Sequence, residues 1–505
     1  MKSGRVCCQL IGTIALLLLF GCGDDGEPAS PTNQLPALQA LHATRGAAPG
    51  IFDASGRQVL LRGVNLNSLG DYFQGNPDLP QVIPLMSDDF PTMARYGLNV
   101  VRLILNWSLL EPQPGQISTD YLRRIHAAVD AAKAQSIYTV LDMHQDAWGK
   151  FIASPPGTTC TAGREPAIGW DGAPEWATIT GGASTCRSAG VRELSPAVVA
   201  AFSNFYSDHD GIQTSLINAW AALAGEFARE PAVAGYDLLN EPHFGASIAT
   251  APPLLGAYSG RVIAAIRAAE RAAGGRGHIA FFEPVILWPL VNAAFAPAFT
   301  DDDNIVFAPH NYGESLNTLS LEQGFTQAAQ DSSTYQTTFW IGEFGWFSDP
   351  PANKEKLIRF AQQEDQYLVG GAWWQWKQAC GDPHSIGSIG GTPAAQIIQF
   401  RLEACPGDVN LGPIPEWTSV LSRPFPRAAP GRLLALVSDG DTAQLRLSGA
   451  TDEPGQLDLW VPERGNGAPI VQGEGLGTVQ TIPVSGGYRL LIPVKGQYEL
   501  ISTQP

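Results

Sequence analysis

The chain has 505 residues, enough for one large domain and a smaller one. Hydrophobic residues make up 44% and charged residues 16%, so a sizeable core can be buried and whole-chain disorder is excluded. With 48 acidic against 31 basic residues the formal charge is −17, which argues against a nucleic-acid partner; no apolar run approaches the ~18 residues of a spanning helix.

Residues 1–22 read as an address rather than as fold. Lys2 and Arg5 supply a positive start, and Ile11 to Phe20 form an apolar segment of signal-peptide length. The segment ends in Leu19-Phe20-Gly21-Cys22, which resembles the lipobox of bacterial lipoproteins, where the cysteine becomes lipidated. That resemblance implies export with a lipid anchor at a membrane surface; an ordinary secretory signal cleaved nearby is the other reading. Residues 23–45, rich in Gly, Asp, Pro, Ala and Thr, read as a flexible tether.

Cys7, Cys8 and Cys22 fall in the leader, leaving Cys160, Cys186, Cys380 and Cys405. An even number in an exported chain predicts two disulfides. Three pairings are open, and sequence order favours Cys160–Cys186 with Cys380–Cys405. No pair has the C-x2-C spacing of a zinc site.

From residue 51 short apolar runs alternate with helical patterns. A hairpin around Ile51-Phe52 and Val59 to Leu61 leads into a first strand ending near Asn65. Further strands are predicted at Leu98–Ile104, Ile137–Met143, Val233–Leu239, Ile279–Phe282, Ile305–Ala308, Thr338–Gly342 and Gly370–Trp376. Between them, Ser118 caps a helix with Tyr121, Leu122, Ile125, Ala128, Val129 and Ala132 on one face. Leu254, Leu255, Tyr258, Val262, Ile263, Ile266 and Ala269 mark another. Eight strands alternating with helices predict an α/β fold, a (β/α)8 TIM barrel over residues 46–425. Its longest insertion, roughly residues 144 to 195, follows strand three. Helical periodicity then stops, and short strands between Gly, Pro and Asp turns predict a small all-β sandwich at 431–505.

In such barrels the chemistry sits at the carboxyl ends of the strands. There the chain places Arg102; Asp142, His144 and Asp146; Asn240-Glu241-Pro242; Glu283; His310, Asn311 and Tyr312; Glu343; and Trp373, Trp374 and Trp376. Glu241 and Glu343 each follow an apolar strand, where a charge is costly without a purpose. Strands four and seven face each other across a barrel, so two carboxylates there can split a glycosidic bond. A buried salt bridge to an arginine is the alternative for either glutamate alone.

Asn240-Glu241-Pro242 after strand four and Glu343 after strand seven resemble the family 5 glycoside hydrolases, over roughly residues 50 to 425. That resemblance implies Glu241 as acid/base, Glu343 as nucleophile, and retention of anomeric configuration. It also implies substrate-binding roles for Arg102, His144, Asn240, His310, Tyr312 and Trp374. A narrower likeness, in Leu141-Asp142-Met143-His144-Gln145-Asp146 and Gly172-Ala173-Pro174-Glu175-Trp176-Ala177, is to endoglycoceramidases. It implies that Asp146 and Trp176 hold the first sugar.

The chemistry requires Glu241 to be raised by burial and a neighbouring carboxylate, and Glu343 to stay ionised beside Arg102. Tyr312 can bond the nucleophile, Asn240 the sugar 2-hydroxyl, and His144 and His310 the sugar hydroxyls or the acid. Of the strand-eight tryptophans, Trp373 is expected to face the helices, with Trp374 and Trp376 facing inward. The insertion aromatics Trp148, Phe151, Trp170 and Trp176 can line a groove for lipid tails or form a mini-core. Asp208 to Gly211 and Asp301 to Asp303 read as solvated turns. No cofactor is implied.

The expectation is a retaining endo-β-glycosidase cutting between oligosaccharide and ceramide. Another β-glycosidase of the same kind, or a non-catalytic glycan-binding surface protein, are the alternatives.

Overall fold

The computed structural model describes residues 35–291, 295, 297–346, 350–386, 401–402 and 412–505. The predicted leader, Cys22 and Cys405 lie outside the described residues. Among the described residues no helix is long and apolar enough to cross a membrane.

Eight parallel strands form the barrel. Numbering these alone, they are β1 Gly63–Leu66, β2 Val100–Asn106, β3 Tyr138–His144, β4 Val233–Asp237, β5 Ile279–Phe282, β6 Ile305–Phe307, β7 Ile341–Phe344 and β8 Gly371–Trp373. Hydrogen-bonded neighbours run β6-β5-β4-β3-β2-β1-β8-β7. A parallel bridge between Phe307 and Phe339 closes the ring, with Trp340 N donating to the Phe307 carbonyl at 2.9 Å. Every residue of β2 and β3 is buried, as strands covered on both faces require. Helix Thr119–Ala134 starts at Ser118, whose side chain accepts from Tyr121 N, and buries the six predicted residues. The second predicted helix spans Ala251–Ala272.

The strand bounds differ from the prediction by one or two residues in β2, β3, β4 and β6, and by more in β7 and β8. β8 stops at Trp373, and the chain then turns, so the inward-outward alternation does not reach Trp376. β7 begins at Ile341, because residues 338–340 serve the closing bridge.

Residues 41–44, expected at the end of the tether, form a strand instead, with Leu41 and Ala43 buried. Four residues of mixed polarity carry too little periodicity to be read as a strand. They pair with Gly50–Asp53, which pairs with Arg57–Val59. Leu41, Ala43, Ile51 and Val59 pack against Val100, Tyr138, Ala234 and Ile279 at the amino end of the barrel strands. The hairpin therefore plugs the end opposite the predicted site.

The same hairpin belongs to the C-terminal sheet. Arg57–Val59 pairs with Phe425–Pro430, which pairs in turn with Leu445–Pro462. The predicted short strands are fused into two long ones, Leu445–Pro462 and Gly487–Thr503, antiparallel along their length. A register shift between Thr451 and Gly455 divides the pair, as a bulge does. One half carries Arg432–Ser438 and Ile470–Leu476, the other Phe425–Pro430 and Gln480–Val484. Leu433, Leu447, Leu459, Trp460, Ile492 and Leu500 fill the core between them. Trp460 also lies against Gly97, where a Cβ would come within 2.1 Å of its Nε1. Ser438 of the sandwich donates to Asp365 on helix Pro350–Tyr367 at 2.6 Å, and Arg62, just before β1, and Arg423, just before Phe425, form buried pairs with Asp365 and Glu364 of that helix, both at 2.6 Å.

Candidate active site

Arg102, near the middle of β2, is the hub of the barrel mouth. Its guanidinium contacts Asp142 at 2.9 Å, Asp237 at 2.9 Å, Glu283 at 2.9 Å and Glu343 at 2.8 Å. It also donates to Asn65 Oδ1 at 3.1 Å and Asn240 Oδ1 at 3.0 Å. Four carboxylates around one cation would repel one another if all were ionised. Burial, with Glu283 and Asp142 close by, pushes Asp237 well above the usual carboxylate range against the pull of Arg102.

Glu241 and Glu343 meet across this hub. One oxygen of each, with a ring nitrogen of His310, lie within 4.8 Å of one another. Glu343 takes Arg102 on Oε1 and the Tyr312 hydroxyl on Oε2 at 2.9 Å. Glu241 sits on a left-handed backbone with φ 38°, its amide donating to Glu283 Oε2 at 2.8 Å. A side-chain-bearing residue in that region stores strain, which the surrounding contacts must hold. His310 Nδ1 lies 3.1 Å from Glu241 Oε1 and 3.5 Å from Glu343 Oε2.

The free site is poised against the expected protonation. Burial pushes Glu241 up, but the hydrogen bond and charge of His310, joined by Arg192, outweigh it and leave Glu241 below the ordinary range. Burial pushes Glu343 up, and His310 and Arg102 do not fully cancel it. His310 itself is held well above a free imidazole, since Glu283, Glu343 and Glu241 overcome its burial. The expectation of a raised Glu241 overlooked these two cations, one of them on a loop remote in sequence.

The other predicted residues divide. His144 lines the cavity, with Nδ1 on Asp142 at 2.7 Å and its ring stacked on Trp374 at 5.5 Å. Asn240 lines it too, its amide already engaged by Arg102 and the Gln145 carbonyl. Asp146 is gripped from both sides, by His384 Nε2 at 2.9 Å and Arg192 at 2.7 Å. Trp176 is not in the cavity wall. It packs edge-on against Trp107 and donates to the Glu111 carbonyl at 3.1 Å. Trp170 lines the cavity in its place. Trp373 packs on Trp417 as core, as expected. Trp376 is a correction: it is buried against Asp89, to which it donates at 2.8 Å, and Lys377 binds the same carboxylate.

The cavity is about 590 Å³. The more buried part of its lining is polar, with Glu241, Glu343, His144, His310, Asp146 and His384. The most exposed part is apolar, with Val191, Leu194, Leu290 and Leu316. Leu290 and Leu316 are 57% and 53% exposed. Of the insertion aromatics, Trp148 is mini-core, packed on Phe202 and Phe205. Cys160 and Cys186 form the expected disulfide beneath this insertion. Asp208 forms the turn that was read as solvated, its carboxylate holding Thr214.

Trp170 meets the expectation of an insertion aromatic lining a groove, whereas Asn65, Asp237, Arg192 and His384 were given no role by the sequence reading. Asp237 carried a signal, a charge inside the apolar run of β4. Arg192 and His384 sit in loops, where no periodicity predicts which way a side chain points. Three sets of donors are close enough to hold a cation: His144, Asp146 and Asp171; Glu241, His310 and Glu343; and Asp142, Asp237 and Glu283. The last already surrounds the guanidinium of Arg102.

Two carboxylates at this spacing, beside a polar floor and under an apolar lip, can cleave an acetal. Comparison with known proteins agrees. Residues 52–379 match the model of cellulase, glycosyl hydrolase family 5. Endoglycoceramidase I of Rhodococcus hoagii (strain 103S) is 26% identical over 470 residues, covering 86% of this chain and 82% of that protein. The crystal structure of an endogalactoceramidase superposes with TM-score 0.86 at 41% identity, over 93% of this chain and all 100% of that one. Endo-glycoceramidase II from Rhodococcus sp. shares the fold, with TM-score 0.69 at 23% identity over 90% of this chain and 99% of its own. The chain belongs to glycosyl hydrolase family 5 and is a glycoside hydrolase.

Proposed function

We propose that the enzyme is a retaining endo-β-glycosidase that cuts glycosphingolipids between glycan and ceramide. The observation that carries this is a cavity with a buried polar lining around Glu241 and Glu343 and an exposed apolar lip. A soluble glycan has no use for that lip, whereas a ceramide presents two apolar chains directly beyond the scissile oxygen. The likeness to endoglycoceramidase I and to an endogalactoceramidase supports the same substrate class.

In this reading Glu343 attacks the anomeric carbon as Glu241 gives its proton to the departing ceramide oxygen. The glycosyl–Glu343 ester is then hydrolysed by water that Glu241 deprotonates. Oxygens of the two carboxylates within 4.8 Å support retention, since inversion needs room for a water between carboxyl groups about 6.5–9.5 Å apart. Arg102 and Tyr312 hold Glu343 for in-line attack. His144, Asn240 and Trp374 face the sugar. The apolar run before Cys22 supports export and a lipid anchor, which would keep the enzyme beside a membrane substrate. The Cys160–Cys186 disulfide supports an oxidising compartment.

The test offers a ganglioside, a neutral gala-series glycolipid and a soluble β-glucan to the purified enzyme, with products identified by mass spectrometry. Intact oligosaccharide plus ceramide, lost in Glu343→Gln, is expected. Cleavage of the glucan alone would discard the lipid substrate.

A further inference from the structure

Arg192 lies across the cavity between the acid/base candidate and the apolar lip. Its Nη2 is 2.7 Å from Asp146 Oδ1 and 3.3 Å from Glu241 Oε2, and Nε bonds Glu193. Its guanidinium stacks 4.3 Å above Trp170. Glu241 thus has one oxygen facing His310 and the other facing Arg192. The residue belongs to the short 3-10 turn Arg192–Leu194, in the insertion stapled by Cys160–Cys186. On either side of it, Val191 and Leu194 line the cavity and are 41% and 43% exposed. One turn therefore carries both part of the lip and the cation on the acid.

An acyl or sphingoid chain laid on Val191 and Leu194 must move or load this turn. A shift of the turn that separates the guanidinium from Glu241 Oε2 would free that oxygen. A cation against that oxygen opposes its protonation and blocks it as a donor. Resting on the assignment of Glu241 as acid/base, we propose that Arg192 is a positioning residue that couples occupation of the apolar lip to release of Glu241 for proton transfer. Filling the lip then accelerates the chemical step as well as tightening binding. The other ionisable groups facing Glu241 are Asp146 beyond β3, Glu283 beyond β5, His310 and Tyr312 beyond β6 and Glu343 on β7. They belong to the ends of barrel strands, whereas Arg192 is carried by the insertion that also bears Val191 and Leu194.

The experiment compares methyl and dodecyl β-glycosides, in glucose and galactose forms. The two alcohols are equally poor leaving groups and differ only in the tail. In the wild type kcat for the dodecyl glycoside should exceed that for the methyl glycoside by about tenfold, with KM lower as well. In Arg192→Gln the kcat ratio should collapse toward one while the KM ratio persists. The alkaline limb of kcat/KM should move to higher pH in that variant, because a cation no longer holds Glu241 ionised; Arg192→Lys should lie between. A kcat ratio unchanged in Arg192→Gln, with the alkaline limb in place, would reduce Arg192 to a loop-packing residue. Failure of the acid assignment reads out separately: Glu241→Gln would then slow methyl and dinitrophenyl glycosides equally. No turnover of either alkyl glycoside by the wild type would overturn the coupling.

Discussion

Tyr312 and Glu343 are joined by a 2.9 Å hydrogen bond in which the phenol donates to Oε2, while Arg102 holds the other oxygen at 2.8 Å. Both oxygens are therefore fixed, and the carboxylate is aimed by protein groups. A hydrogen bond to a charged group contributes about 1.5–3 kcal/mol. Tyr312→Phe should lower kcat about 10–100-fold with little change in KM, whereas Glu343→Gln should remove turnover. Steady-state kinetics on one cleaved glycoside checks both.

Glu241 makes a prediction that depends on the leaving group. Without it, substrates with a poor leaving oxygen should lose about 10²–10⁴-fold in kcat/KM. Dinitrophenyl glycosides, which leave without a proton, should lose far less in their first step. Burst kinetics on Glu241→Ala with both substrate types measures the contrast.

Arg102 bridges four carboxylates with no exposure to solvent. Removing one partner of a buried ion pair typically costs about 3–5 kcal/mol. Arg102→Met should lower unfolding free energy by about that amount and abolish activity, which denaturant titration and an assay would register together.

His144, buried, and His384, half-buried, are imidazoles that gain proton affinity on folding. Burial pulls both down, but Asp142 lifts His144 to about 9, and Asp382 with Asp146 lifts His384 to about 10. Their folded values exceed the free value of about 6.5. The unfolded chain therefore binds fewer protons, and stability falls as pH rises. The contribution is complete below about pH 6.5 and is lost as pH climbs through 9 to 10. Denaturation midpoints between pH 6 and 10 should fall for the wild type and fall less for His384→Gln.

The lip gives a fifth test. Leu290→Asp with Leu316→Asp should raise KM for a glycosphingolipid much more than for its methyl glycoside counterpart, because each buried CH2 of a lipid chain contributes about 0.8 kcal/mol.

The barrel was legible because each strand is an apolar run ending in a polar residue that a core would reject. Glu241 and Glu343 were legible for the same reason. Asp237 broke the same rule inside β4 and could have been read by it. The cavity's loop residues obey no such rule. Trp170 and Trp176 lie six positions apart in one insertion, with equal composition around them, yet only Trp170 reaches the cavity. Arg192 depends on where a stapled loop folds back, and through it the balance of charge on Glu241 escaped a reading made along the chain. Leu41 and Ala43 needed the barrel's amino end beneath them before their alternation meant anything.

The pairing of Arg57–Val59 with Ala428–Pro430 joins the two ends of the chain into one sheet. During synthesis the first hairpin has no lateral partner until nearly the whole polypeptide has been made. Contacts so distant in sequence close late and slowly. The sheet's first-made edge thus waits for residues 428–430, whereas the plug on the barrel's amino end is built from residues already at hand.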